Sequence, residues 1–315
     1  MNVSSEVKQP FQLFPLFRER VWGRESLAPL FPDVSGKERI GEVWFTFEQN
    51  PTSLEKTLAE VIRTNPEILG SARDDAHPDI CPLLVKLLFT SERLSVQVHP
   101  DDEYAGRHHN SLGKTEAWYV VDAQPPGEVA VGFREALSSE RFRASIESGE
   151  VEDLLDWRKV KRGDAILAPA GTVHAIGAGL TICEVQENSD ITYRLYDYGR
   201  PRELHLNHGM AVSKLDRHEL IFEPVPVGKN RTELAVSEYF RMERLMPEGP
   251  VRVESGLKQF LFLLCLAGEG TIAGQQATAG SAWMTPAGND GFELLAPGSQ
   301  WILAYKADDA LESII

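Results

Sequence analysis

The chain has 315 residues, 42% apolar and 25% charged, the composition of an ordinary globular protein long enough for two domains or one large one. Asp and Glu (47) outnumber Lys and Arg (32), and the resulting net charge of −15 disfavours nucleic-acid backbones and anionic membranes as partners. No apolar run approaches the roughly 18 residues of a membrane span, and the first ten residues carry no basic-then-apolar leader, so the cytosol is the expected compartment. Cys81, Cys183 and Cys265 are too few and too far apart for a disulfide framework or a Cys-rich zinc module, and are expected as buried, reduced thiols.

In chain order, the apolar stretch Phe11-Gln-Leu-Phe-Pro-Leu-Phe17 reads as an anchor for the N-terminus. Leu54, Leu58, Val61 and Ile62 recur at helical spacing, which predicts a helix over 54–69 with Ser53 as its N-cap. Residues 83–89, 94–99, 117–121 and 165–168 are strand-length apolar runs, many bounded by Gly, Pro, Asp or Asn. A second helix is predicted from about Ser138 to Leu155, with Gly149 able to split it. From about Thr232 onward short strands and turns continue without a helical pattern, ending in the run 300–305. The fold class is therefore mainly β, read as two jelly-roll sandwiches with helical insertions in the first, over residues 1–225 and 226–315.

The two units share a local pattern. Gly163-Asp-Ala-Ile-Leu-Ala-Pro-Ala-Gly171 and Gly280-Ser-Ala-Trp-Met-Thr-Pro-Ala-Gly288 are identical at five of nine positions. Extending that register puts His174 opposite Gly291, and a looser comparison puts Glu116 opposite Phe260, so the second copy is expected to keep the scaffold without the polar residues. Gly268, Gly270 and Gly274 read as a hairpin turn, because no helix pattern follows them as a nucleotide loop requires.

Gln97 and His99 are two residues apart in a strand-like run and therefore share a face. Glu116 precedes an apolar strand and His174 follows a Pro-Ala-Gly turn, so all four can converge inside one sandwich. Two imidazoles, a carboxylate and an amide oxygen suit one zinc or another borderline divalent ion. His108 and His109, in a polar stretch beside Gly106 and Asn110, and His205 and His208, after Arg202-Glu203, are expected in surface or structural roles outside that site.

Four segments in order, Leu94-Ser-Val-Gln-Val-His-Pro-Asp-Asp102, Gly113-Lys-Thr-Glu-Ala-Trp-Tyr119, Pro169-Ala-Gly-Thr-Val-His174 and Gln186-Glu-Asn-Ser-Asp-Ile-Thr-Tyr-Arg-Leu-Tyr-Asp197, resemble the signatures of type I mannose-6-phosphate isomerases in their short bacterial form. Arg20-Val-Trp-Gly-Arg24 and Arg202-Glu-Leu-His205 extend the likeness to roughly residues 10–215. The resemblance implies two cupin-type domains, one Zn²⁺ per chain on Gln97, His99, Glu116 and His174, and interconversion of mannose 6-phosphate and fructose 6-phosphate. It also implies an active-site role for Arg194, on the phosphate or on the enediolate oxygens, with Lys86, Lys114 and Ser95 as phosphate candidates and Asp190 and Glu184 as acidic residues of the site. Glu184, Lys114 and a zinc-bound water are each adequate bases. Two other readings compete: a mononuclear metal cupin oxygenase and a non-catalytic sugar-phosphate sensor. Gln97, an uncommon ligand for redox iron, and the cations Lys114 and Arg194 weigh against the first, and the absence of a DNA-binding helix pair or basic domain weighs against the second. The expected partner is a small sugar phosphate, with the chain a monomer or homodimer.

Overall fold

The computed structural model describes residues 7–217, 223–306 and 310–315; residues 1–6, part of the segment read for a leader, lie outside them. The architecture is mainly β, as the sequence predicts, and built from four antiparallel sheets. A five-stranded sheet runs in the order Tyr193–Tyr196, Val96–Val98, His174–Ile176, Glu128–Phe133, Leu155–Lys159. A six-stranded sheet follows as Leu16–Leu27, Phe31–Trp44, Leu83–Phe89, Leu180–Glu187, Glu116–Ala123, Ala165–Ala168. The seven-stranded sheet is Phe11–Leu13, Ala282–Thr285, Leu261–Ala267, Gln300–Tyr305, Arg241–Leu245, Arg231–Val236, Val225–Gly228. Val251–Val253, Phe292–Leu295, Glu269–Ile272 and Gln275–Thr278 form the four-stranded sheet.

Side-chain alternation decides how the sheets stack. Leu83, Val85, Leu87 and Phe89 point to one side of the six-stranded sheet, where they meet Phe262, Leu264, Met284, Ile302 and Ala304 of the seven-stranded sheet in the largest core. Leu88, Trp118, Val120 and Ile182 point the other way, onto Val129, Val131 and Ile176 of the five-stranded sheet. The seven-stranded sheet packs its second face, with Leu263, Cys265, Trp301 and Leu303, on Ile272, Phe292 and Leu294. Both large sheets are thus covered on both faces, which is why strands such as 83–89 are buried along their whole length and do not alternate apolar with exposed residues.

Several expectations shift locally. The first helix is Leu58–Thr64, capped by Thr57 and not Ser53, because Thr57 and Glu60 form a reciprocal capping box. Pro66 then allows only a 3₁₀ turn, Pro66–Leu69, in place of the expected continuation. Ser138 caps the helix Ser139–Ser148, and Gly149, in a left-handed conformation, separates it from Val151–Leu154 as its position suggests. The polar stretch containing His108 and His109 is a helix, Asp102–His109, capped by Asp101. Only Ala105 of it is buried, so it lacks the apolar stripe by which it could be read, although its acidic start and basic end satisfy the helix dipole.

The internal pattern is structural. Gly163, Gly171, Gly280 and Gly288 all have positive φ, bracketing Ala165–Ala168 and Ala282–Thr285 at equal spacing. The pairing corrects the looser alignment by one residue. Ala168 pairs with Glu116 while Thr285 pairs with Leu261, so the counterpart of Glu116 is Leu261 and not Phe260. Lys86 lies in an internal strand flanked by Phe31–Trp44 and Leu180–Glu187. All three cysteines are buried and unpaired, with burial pushing their thiols up. No helix among the described residues is long and apolar enough to cross a membrane.

Because Leu87 is fully enclosed in the core shared by the two large sheets, Leu87→Ala is expected to cost about 2–5 kcal/mol. Urea denaturation checks this, and a loss below about 1 kcal/mol would mean that the interface between the sheets repacks freely.

Candidate metal centre and active site

The site lies between the five- and six-stranded sheets, and alternation selects its residues. In the six-stranded sheet, Lys86, Glu184 and Glu116 leave the face opposite Val85, Val185 and Ala117, with Glu184 opposite Lys86 on one neighbour and Trp118 on the other. In the five-stranded sheet, Arg194, Gln97 and His174 form one row, Gln97 pairing with both of the others. Their chain neighbours Val96, Val98, Val173, Ala175 and Leu195 all point outward, into a core beneath the helices. The apolar residues of each strand therefore fix which polar ones face inward.

His99, Glu116 and His174 are almost completely buried and their potential ligand atoms all lie within 4.8 Å of one another. His174 Nε2 is 3.1 Å from Glu116 Oε1, and His99 Nε2 is 3.5 Å from Glu116 Oε2. The Nδ1 atoms of both rings lie 2.9 Å from a backbone carbonyl, Ile191 for His99 and Thr172 for His174, so each Nδ1 carries the proton and each Nε2 presents a lone pair. His99 Nε2 and Glu116 Oε2 are buried without a hydrogen-bond partner. Two orphaned ligand atoms and two pre-set tautomers fit a divalent cation with nitrogen and oxygen donors. Gln97 approaches the same point, its amide 3.1 Å from His174 Nε2 and held from behind by the Ser95 hydroxyl at 3.2 Å. Rotated by half a turn, that amide offers its oxygen to the same ion.

Beside this group opens a cavity of about 370 Å³. It is lined by Lys86, Ser95, Gln97, Lys114, Glu116, Glu184, Asp190 and Arg194, all named from sequence, with His99 and His174 behind. Five cationic side chains face it, Arg20, Lys86, Lys114, Arg194 and Arg202, against four carboxylic ones, Glu42, Glu116, Glu184 and Asp190. Arg20, Trp22 and Arg202 fall in segments quoted for the family likeness but carry no role there, while Glu42 has no sequence signal at all. The structure explains Glu42: it flanks the core residue Val43, faces the cavity, and accepts hydrogen bonds from Arg20 and from the Trp44 indole.

Burial sets the protonation states. Glu116 is held well below the usual carboxylate range, since the attraction of Lys114, at 3.4 Å, outweighs the cost of desolvation. Lys114 is raised above the usual lysine value, because Glu116, Glu184, Asp190 and Glu42 outweigh its burial. Glu184 is pushed up to about 8 by burial and by the Glu116 charge, against the pull of Lys86 and Lys114. Burial, reinforced by Lys114, lowers His99 to about 3, and burial also lowers His174. Both imidazoles are therefore neutral, the form that ligates metals. The Lys86 ammonium sits 5.0 Å from the Trp44 ring centroid, a cation–π contact that compensates part of its burial. Arg194 donates one guanidinium N–H to the Glu203 carbonyl, and its Nε is buried without a partner.

The fold and this site together define a β-sandwich protein with an internal His-Glu-His group beside a cation-rich cavity. Residues 11–143 match the catalytic domain of type I phosphomannose isomerases. The chain is 36% identical over 302 residues to a probable mannose-6-phosphate isomerase, GmuF, of Bacillus subtilis, covering 88% of this chain and 93% of that protein. It is 38% identical over 283 residues to the mannose-6-phosphate isomerase ManA of the same organism, covering 84% and 87%. A crystal structure of the mannose 6-phosphate isomerase from Bacillus subtilis superposes with a TM-score of 0.85 at 30% identity, over 95% of this chain and 100% of that one. The chain belongs to the type I phosphomannose isomerase family.

If the orphaned atoms are ligands, Glu116→Gln removes the only anionic donor of the three-residue group and should weaken Zn²⁺ affinity at least about 100-fold. Equilibrium dialysis with elemental analysis measures this, and unchanged uptake would reject the group as the metal centre.

Proposed function

We propose that this chain interconverts mannose 6-phosphate and fructose 6-phosphate through an enediol, with one zinc ion held by Gln97, His99, Glu116 and His174. The observation that carries the reading is a cavity with an excess of cationic side chains in a chain of net charge −15, directly against a buried His-Glu-His group. A pocket opposed in sign to the molecule around it suits a small anion. Family membership favours the isomerase over the oxygenase and the sensor.

A bound zinc supplies Lewis acidity toward the carbonyl and hydroxyl oxygens of the substrate. The side chains have distinct work. Glu184 is the base in this reading: held near 8, it passes a proton between C2 and C1 with little energetic penalty, accepting it from one carbon and returning it to the other. Lys114, stabilised as an ammonium above all by the Glu116 carboxylate, is a poor base and instead offsets negative charge on the enediol oxygens. Arg194 acts with it, its unpartnered Nε giving a donor free for the substrate. Lys86 and Ser95, with the more exposed Arg20 and Arg202, take the phosphate, and Asp190 at the rim accepts hydrogen bonds from sugar hydroxyls.

A coupled assay on mannose 6-phosphate tests the assignments. Arg194→Ala should retain one zinc per chain and lose about 10²–10³ in kcat; unchanged turnover would reject Arg194 as catalytic. Glu184→Gln, nearly isosteric, should lose about 10²–10⁴ in kcat with zinc content unaltered, and a loss below tenfold would move the base to another group.

A further inference from the structure

A second set of histidines lies behind the active site. Tyr193 and Arg194 are neighbours in one strand, so while Arg194 faces the cavity, Tyr193 points outward into the core beneath the helices. There it meets His109, from the last turn of the helix Asp102–His109, and His208, from the first turn of the helix Leu206–Val212, with His108 beside His208. The ring centroids of His108 and His109 each lie 5.6 Å from that of His208, and 6.4 Å from one another. The inner pair, His99 and His174, are 4.8 Å apart by the same measure. Two imidazoles on one tetrahedral ion, with Zn–N near 2.0–2.1 Å, place their centroids about 5 Å apart.

The rings are also oriented. The Tyr104 hydroxyl is 3.0 Å from His208 Nδ1, and the Tyr193 hydroxyl is 2.6 Å from His109 Nε2. Each phenol occupies one nitrogen of its histidine and leaves the other, His208 Nε2 or His109 Nδ1, for a ligand, which is how metal-binding imidazoles are supported from behind. Tyr104 stacks on His108 at 4.2 Å, and Tyr193 on His208 at 5.0 Å with only 13° between the planes. Burial and the two neighbouring histidines hold His109 below its ordinary value, toward the neutral form.

We propose that His108, His109 and His208 form a second divalent-metal site with three imidazole donors, for zinc or a similar borderline ion, on the outer face of the five-stranded sheet. Among the described residues only His99, Glu116 and His174 already gather their ligand atoms within 4.8 Å, so the outer group must contract on binding. His108, exposed and stacked on Tyr104, is the ring that turns toward His208, while His109 stays on the Tyr193 hydroxyl. The outer ion takes no part in the chemistry of the cavity. It ties together two helices that lie about a hundred residues apart in sequence, and so binds the folded chain alone and stabilises it.

The test is calorimetric titration of the zinc-loaded protein with further Zn²⁺, alongside thermal unfolding. The wild type should take up one equivalent beyond the inner ion and melt higher in excess Zn²⁺. His208→Gln and His108→Ala should each weaken that uptake at least tenfold and remove the thermal shift. His174→Ala should leave the outer uptake intact, which separates this site from the inner one even if the reading of the inner site fails. His77→Ala, remote from both groups, serves as the control for adventitious surface binding. No second equivalent in the wild type, or uptake unaffected by both His208→Gln and His108→Ala, would overturn the proposal.

Discussion

The Glu116 carboxylate, 1% exposed, is the constraint from which the rest of the site follows. An ionised carboxylate so placed is costly unless countercharges and donors surround it. Lys114 supplies one countercharge from two residues away, while the two imidazoles, from another strand and from a segment following one, turn their Nε2 atoms toward the same point. Once Glu116 is ionised, a second carboxylate nearby cannot be, and Glu184 is pushed toward its protonated form. One buried charge thus sets the states of its neighbours, and in the proposed mechanism the difference between two carboxylates on the same sheet face becomes a division of labour between holding an ion and moving a proton.

That arrangement depends on rigid strands. The six-stranded sheet is gripped on its far side by the large core shared with the seven-stranded sheet, so Lys86, Glu184 and Glu116 are displayed from elements that cannot slip register without turning Val85, Val185 and Ala117 out of that core. The seven- and four-stranded sheets repeat part of the scaffold with an apolar residue in place of Glu116: Leu261 pairs with Thr285 as Glu116 pairs with Ala168, and the interior around it is filled by Trp283, Trp301 and Leu303. They form a second sheet pair, a wall against which the first pair is held. The N-terminal strand Phe11–Leu13 ties the two together by pairing with Ala282–Thr285.

Much of this was legible in the sequence, for identifiable reasons. Strand alternation put Gln97 and His99 on one face, and the Gly-bounded repeat marked equivalent hairpins. What was missed lacked a local signal. Glu42 reads as one more charge in a mostly exposed strand, and only the packing of Val43 turns it inward. The helix Asp102–His109 buries a single alanine, so no periodicity announced it, and the meeting of its histidines with His208 across about a hundred residues is a product of tertiary structure. The one-residue error in the looser repeat alignment has the same origin, since sequence similarity there was too weak to fix a register that backbone pairing fixes outright.

In the proposed mechanism a metal on the buried His-Glu-His group drives isomerisation of a sugar phosphate in the adjoining cavity. The most direct measurement follows conversion of mannose 6-phosphate to fructose 6-phosphate by the same preparation as purified, after chelation, and after zinc is restored. Activity that disappears with the metal and returns with it is the predicted result; turnover that persists in fully metal-free protein, or none with zinc bound, would contradict the account.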